Sequence, residues 1–234
     1  MKKIIPSFLT ILNLVCGCLA IALAFQFQFE AVLILVCLGV FFDFLDGLAA
    51  RALDSVTNFG KHLDSITDVI TSGVVPGIIV YQLFKLSGNK VSDFEVYTFG
   101  YDLIFSLSPI SFIGFLITIA SAIRLSKYNT LTRSDEFIGL PTPANAIFFA
   151  SLPVLINSEI LIESKELFLN NYFLIGSVIS SVILMNSPFR LFSFKVPFKD
   201  FQSNVYQILL ILISIPVLFY FNLQCFTIII LIYL

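Results

Sequence analysis

From Ile5 to Phe25 the chain carries no charge, and stretches of similar apolar character recur along its 234 residues. A helix needs about 20 predominantly apolar residues to cross a bilayer, because lipid leaves each backbone polar group to be satisfied within its own segment. Candidate spans on that criterion are Ile5 to Phe25, Phe29 to Leu53, Leu63 to Leu86, Leu103 to Leu125, Thr142 to Ile160, Tyr172 to Met185 and Val205 to Phe221. The apolar tail Phe226 to Leu234 is too short for a full crossing and reads as an incomplete span or a truncated chain end. With 58% hydrophobic residues, 27 Phe and 12% charged residues, a soluble domain is excluded and an all-α, polytopic integral membrane helix bundle is expected.

Other classes drop out quickly. A net charge of −2 without a basic tail gives no footprint for nucleic acid. Cys16, Cys18, Cys37 and Cys225 lie in or beside apolar segments, without the spacing of a thiolate metal site, and read as packing residues. Met1-Lys2-Lys3 and Ala22-Leu23-Ala24 bracket something like a signal peptide, but Thr10 and Asn13 interrupt it and Pro6 suits a helix start, so a retained first span is expected. Lys and Arg are retained on the cytoplasmic side of membranes. Alternating from a cytoplasmic N-terminus puts Lys2, Lys3, Arg51, Lys61, Arg124, Lys127, Arg133, Arg190, Lys195 and Lys199 inside, and only Lys85, Lys90 and Lys165 outside.

Against this apolar background stands one polar stretch, Asp43-Phe44-Leu45-Asp46-Gly47-Leu48-Ala49-Ala50-Arg51 and, eight residues on, Gly60-Lys61-His62-Leu63-Asp64-Ser65-Ile66-Thr67-Asp68. At about 100° and 1.5 Å per residue, Asp43, Asp46, Gly47 and Ala50 share one helical stripe. Gly60, Asp64 and Asp68 form a second on span three, so a turn around Asp54 to Asn58 aims all four carboxylates at one space. An Asp costs about 2.5–3.5 kcal/mol at mid-bilayer, less toward the interface. Solvation of a loop explains Asp54 but not Asp43, roughly 15 Å before the turn.

Four clustered carboxylates repel one another and require cations. Oxygen-only ligands point to Mg²⁺ or Mn²⁺, with Ca²⁺ also admissible, and away from zinc. Two divalent ions would balance four carboxylates and suit a diphosphate substrate, whose oxygens such ions clamp. Gly47, Ala50 and Gly60 leave room for a nucleotide; Gly47 equally suits helix packing. Arg51 either meets a phosphate or caps carbonyls at the helix end.

The pattern Asp43-x-x-Asp46-Gly47-x-x-Ala50-Arg51, eight residues, Gly60-x-x-x-Asp64-x-x-x-Asp68 resembles the signature of the CDP-alcohol phosphatidyltransferase family at every fixed position. The resemblance implies six core membrane helices, a homodimer, and transfer of a phosphatidyl group from a CDP-linked lipid to an alcohol with release of CMP. It implies that Asp43, Asp46, Asp64 and Asp68 bind the divalent ions, that Asp68 is also the general base, and that Gly47, Ala50 and Arg51 hold the nucleotide and its diphosphate. Residues 1–199 would form the family's membrane domain and 200–234 one or two additional C-terminal spans.

Three further stretches resemble the serine-using branch of that family: Leu9 to Gly17, Arg124 to Asn129 leading to Phe137 to Asn145, and Leu184 to Ser187 followed by Phe192 to Lys195. They imply CDP-diacylglycerol and L-serine as substrates. Serine is a zwitterion whose carboxylate needs a cation or a helix N-terminus. Thr142-Pro143 starts a helix at the cytoplasmic face, and Arg124 and Lys195 supply charge there, unless they only fix topology. With Thr10, Asn13 and Asn129, these residues are the candidates for holding the acceptor or the lipid phosphate. Thr10 and Asn13 reach the depth of Asp43 and bond either substrate or neighbouring helices. Pro76-Gly77 is expected to kink span three, and His62 to be a surface residue. The rival readings are another acceptor, glycerol 3-phosphate or inositol, and an intramembrane cation transporter.

Overall fold

The computed structural model describes residues 4–88, 92–98, 101–130, 139–158, 165–188 and 222–233. Helix α1 (Ile4–Phe25) and α2 (Phe29–Ala52) form an antiparallel pair joined by a tight turn in which Phe27 takes φ 58°. After a second turn, α3 (Asn58–Val69), a π-helical turn (Ile70–Val74) and α4 (Val75–Leu86) make one continuous apolar span. Strands β1 (Ser92–Thr98) and β2 (Tyr101–Leu107) pair antiparallel, with Ser92 opposite Leu107 and Thr98 opposite Tyr101. A 3₁₀ turn (Pro109–Gly114) leads into α5 (Phe115–Thr130), followed by α6 (Thr142–Ile156), the short α7 (Lys165–Phe168) and α8 (Asn171–Asn186). The last described pieces are a 3₁₀ turn (Asn222–Gln224) and α9 (Cys225–Tyr233).

Four of these units are long and apolar enough to cross a membrane, namely Ile4–Phe25, Phe29–Ala52, Asn58–Leu86 and Pro109–Tyr128. Helices α6 and α8 have 15 and 16 residues, roughly 22–24 Å at 1.5 Å per residue, and complete a six-helix bundle. Val32, Leu33 and Val36 of α2, Ile79, Leu83 and Phe84 of α4, Phe149 of α6 and Leu174 of α8 are fully buried between the helices. Phe41, Phe44, Ile119 and Ile183 point outward, as helices solvated by hydrocarbon require.

The polytopic helical bundle is the expected architecture, with two local departures. The span expected from Leu103 to Leu125 begins later, because Tyr101–Leu107 is strand and the helical segment opens at Pro109. The strands are rich in Val, Tyr, Phe and Ile, residues that favour pleated backbone, and Pro109 sits where a first turn tolerates a missing N–H. Helix α6 ends at Ile156 rather than Ile160. The expected span Val205 to Phe221 lies outside the described residues, as do Arg133, Arg190, Lys195 and Lys199. Helix α9 packs on α6, with Thr227 Oγ1 donating to Ser151 Oγ at 2.7 Å.

The expected distortion at Pro76 is found one turn earlier, in the π-helical segment. Pro76 cannot donate to the Ser72 carbonyl four residues back. Hydroxyls of α5 approach the carbonyls of this region instead: Thr118 Oγ1 reaches Gly73 O at 2.9 Å and Ser121 Oγ reaches Ser72 O at 3.5 Å. Spans interrupted in this way hold together only where a neighbouring helix supplies donors.

Candidate functional site

Helix α2 brings Asp43, Asp46, Gly47, Ala50 and Arg51 to one face near its C-terminus, and α3 returns beside it. The turn between them uses Asp54 at φ 46° and the N-cap Thr57, whose hydroxyl accepts from the Gly60 N–H at 3.0 Å. This cap fixes the first turn of α3 and with it the direction in which Asp64 and Asp68 project.

Three of the four aspartates converge. Ligand oxygens of Asp43, Asp64 and Asp68 all lie within 4.8 Å of one another. Asp64 Oδ1 is buried with no hydrogen-bond partner, a costly state for a carboxylate unless a ligand completes it. Asp46 turns toward α1 instead, where Thr10 Oγ1 donates to its Oδ2 at 2.6 Å. Of the four carboxylates expected to face one space, three form this group, while Asp46 contacts Thr10 and shares a cleft with Asp64.

Asp46 and Asp64 both line an open cleft of about 180 Å³. Its walls are Pro6, Ser7 and Thr10 of α1, Gly47, Ala50 and Arg51 of α2, the turn Ser55 to Thr57, and Gly60 and Lys61 of α3. Asp64 therefore belongs to both the cleft and the acidic cluster. A Cβ built on Gly47 would meet only the Arg51 guanidinium nitrogens, at 3.9 Å. Among the described residues, Gly47 therefore opens space in the cleft and packs against no neighbouring helix. His62 is exposed and does not line the cleft.

Two polar residues of α1 hold the acidic groups from behind. Beside the Thr10 contact, Asn13 Nδ2 lies 3.4 Å from Asp68 Oδ1, and Asn13 Oδ1 accepts from Thr71 Oγ1 at 2.9 Å. Thr71 is missing from the sequence reading; only its position three residues after Asp68, on the same helical stripe, could have signalled it.

Of the acceptor-side candidates, Thr10 and Asn13 thus sit against the aspartates, whereas Arg124 and Thr142 form a separate cluster. Arg124, near the end of α5, is 6% exposed, stacks on the Tyr128 ring at 4.9 Å and reaches Thr142 Oγ1 at 3.4 Å. Thr142 opens α6, whose N-terminus has no side-chain cap. One turn on, Asn145 Oδ1 accepts from Ser181 Oγ at 2.6 Å, while its Nδ2 is buried without a partner. Asn145 ends the Phe137 to Asn145 motif, but only the fold reveals its unused donor. Gly139 has φ 74°, and a Cβ there would sit 2.6 Å from Met185 O; the adjacent Leu140 N–H bonds Leu184 O at 2.9 Å. The Gly-Leu-Pro-Thr-Pro stretch thus locks the start of α6 onto the end of α8. Asn129 lies in α5 with its side chain outside the described residues, and Lys195 lies outside them altogether.

Membrane-spanning helices carry an oxygen-only acidic cluster, of a chemistry that suits a hard divalent cation, next to an open cleft with Arg51 and Lys61 in its wall. Residues 3–183 match the family model for CDP-alcohol phosphatidyltransferase. The chain belongs to that family, which is divalent-metal dependent. It is 32% identical over 144 residues to the CDP-diacylglycerol–serine O-phosphatidyltransferase of Bacillus subtilis, covering 59% of this chain and 69% of that protein. Identity to the protein of the same name from Methanocaldococcus jannaschii is 34% over 163 residues, 69% of this chain and 67% of the other. The archaetidylserine synthase of Methanothermobacter thermautotrophicus is 34% identical over 150 residues, 63% of this chain and 56% of its own length.

Proposed function

We propose that the protein transfers the phosphatidyl group of CDP-diacylglycerol to the hydroxyl of L-serine, giving phosphatidylserine and CMP. The observation that carries this reading is the junction of the Asp43–Asp64–Asp68 cluster with the cleft walled by Gly47, Ala50, Arg51 and Gly60, in a chain similar to two serine O-phosphatidyltransferases.

The cleft receives the cytidine diphosphate head, with Arg51 and Lys61 facing its phosphates, while the acyl chains stay among the outward apolar side chains. Asp68 accepts the serine hydroxyl proton. The hydroxyl oxygen attacks the phosphorus bonded to diacylglycerol, that phosphorus–oxygen bond forms as the bond to CMP breaks, and configuration inverts. Asp43, Asp64 and Asp68 fit a divalent ion through their clustered oxygens and the unsatisfied Asp64 Oδ1; Asp46, from the cleft wall, completes a set for two ions, Mg²⁺ or Mn²⁺. Such ions, when bound, neutralise the carboxylates and the charge gathering on the departing phosphate. Asp46 keeps its orientation through Thr10.

Arg124, Thr142 and the α6 N-terminus supply cationic and N–H character for the serine carboxylate, and Asn145 Nδ2 an additional donor. The cleft end carries Arg51 and Lys61, and the Lys/Arg bias of the connections supports a cytoplasmic N-terminus and active site. A homodimer is part of the same reading.

The test is CMP release by the purified protein with CDP-diacylglycerol or its ether-lipid counterpart and a panel of serine, glycerol 3-phosphate and inositol. Serine-dependent release that Asp68→Asn abolishes is expected. Release with serine left out, or undiminished in Asp68→Asn, refutes the reading. The ether-lipid arm is included because one similar protein is an archaetidylserine synthase.

A further inference from the structure

The Asn13 amide lies between Asp68 and Thr71 and satisfies both in one orientation only. Asp68 Oδ1 accepts, so the amide atom 3.4 Å from it is Nδ2. Asn13 Oδ1 then faces Thr71, whose hydroxyl, 2.9 Å away, has to donate. Both residues are 1% exposed, so water offers the amide no alternative partner.

The packing around this contact leaves no slack. A Cβ on Gly39 of α2 would stand 2.8 Å from Asn13 Oδ1 and 2.9 Å from Thr71 Cγ2, and one on Gly17 of α1 would stand 2.7 Å from Thr71 Oγ1. Glycine at both positions is what lets α1, α2 and the π-helical turn close on a single amide–hydroxyl pair. The turn itself is tied to α5 through Thr118, so Thr71 is held from its far side as well. Single π-helical turns in long helices are frequent at functional sites.

We infer that Thr71 is a positioning residue for the acidic cluster: by donating to Asn13 Oδ1 it aims the Asn13 amide at Asp68 and fixes the carboxylate that faces Asp43 and Asp64. The use of the cluster in phosphatidyl transfer rests on the function proposed above, whereas its geometry and its affinity for a divalent ion do not. Partners one step behind a metal ligand typically govern 10- to 100-fold in metal affinity or activity.

The experiment titrates the full-length protein in detergent with Mn²⁺, reading free ion by electron paramagnetic resonance, and measures CMP release in parallel. Thr71→Val keeps the shape and removes the donor; Mn²⁺ Kd rises about 10- to 100-fold and kcat falls by a similar factor. Thr71→Ser restores the donor and both values. Gly17→Ala crowds the same hydroxyl without removing it and weakens Mn²⁺ binding in the same direction, which keeps the test decisive if Thr71→Val does not fold. Wild-type Mn²⁺ affinity in Thr71→Val and Gly17→Ala overturns the inference. So does a Thr71→Ser protein as weak as Thr71→Val, or a wild-type protein that binds no Mn²⁺. Mn²⁺ results as expected without CMP release from any alcohol sink the transfer reading and leave Thr71 in its positioning role.

Discussion

Two glycines of α2, Gly39 and Gly47, are equivalent on a helical propensity scale but should respond oppositely to a single methyl group. Alanine in a helix interior is favoured over glycine by about 0.5–1 kcal/mol. At Gly47 nothing opposes that gain, since the added Cβ meets only Arg51, at 3.9 Å. At Gly39 the Cβ would stand 2.8 Å from Asn13 Oδ1 and 2.9 Å from Thr71 Cγ2, and overpacking of a fixed core costs about 1–3 kcal/mol. The net expectation is a gain of about 0.5–1 kcal/mol for Gly47→Ala and a loss of up to about 2 kcal/mol for Gly39→Ala. At roughly 2–4 °C per kcal/mol for a chain of this size, apparent Tm rises by about 1–4 °C in the first and falls by up to about 8 °C in the second. The chain has no Trp, so helical circular dichroism in detergent is the suitable probe. Activity should move against stability at Gly47: the methyl projects into the cleft, and KM for the CDP-lipid should rise about tenfold or more, as expected when about 1.4 kcal/mol of binding is lost. A Gly47→Ala protein with lowered Tm would mean that the residue packs against another helix and the assignment of the cleft is wrong. A more stable protein with unchanged KM would remove the nucleotide from this cleft.

Other perturbations separate the two polar clusters. Thr10→Val removes the 2.6 Å donor to Asp46; a hydrogen bond to a charged group contributes about 1.5–3 kcal/mol, so CMP release should fall roughly 10- to 100-fold, with Thr10→Ser close to wild type, and equal loss in both variants would exclude the hydroxyl as the cause. Gly139→Ala faces both φ 74° and a carbonyl 2.6 Å away; it should lower apparent Tm by several degrees and raise KM for serine more than KM for the CDP-lipid, and an equal change in both would argue against an acceptor site at the start of α6. Arg124→Lys keeps the charge but shortens the reach to Thr142 and loses the planar stack on Tyr128. KM for serine should rise about tenfold with Mn²⁺ affinity unchanged, and a loss of Mn²⁺ affinity would tie Arg124 to the acidic cluster instead.

The parts of the site that were legible in the sequence are those set by helical periodicity along one segment. Asp43, Gly47 and Ala50 share a face because they are four and seven residues apart, and Asp64 and Asp68 because they are four apart; the bundle brings the two faces together as expected. Contacts that depend on where another helix crosses were not legible. The contact of Asp46 with Thr10 requires Thr10 at the right height on α1, and Thr71 meets Asn13 where Gly17 and Gly39 allow three backbones to close up. Hydropathy likewise could not distinguish the apolar strand Tyr101–Leu107 from the beginning of a span, since strand and helix bury the same side chains and only Ser108-Pro109 marks the change. Pro76 announced a break in span three, but not that its consequence would be a π-helical turn at Ile70–Val74 supported by hydroxyls from α5.

Among the described residues, each one lining the cleft comes from the first 64 positions, and the acidic cluster is complete by Asp68. Arg124, Thr142 and Asn145 come from later helices, joined by a stretch that reaches its place through Gly139. Under the proposed function, the groups that activate the lipid donor occupy one uninterrupted block of chain, and those that select the alcohol lie beyond it. Chain order thereby separates donor chemistry from acceptor choice. A chimera that keeps residues 1–86 and takes its later helices from an inositol-using family member should retain the CDP-lipid and exchange serine for inositol.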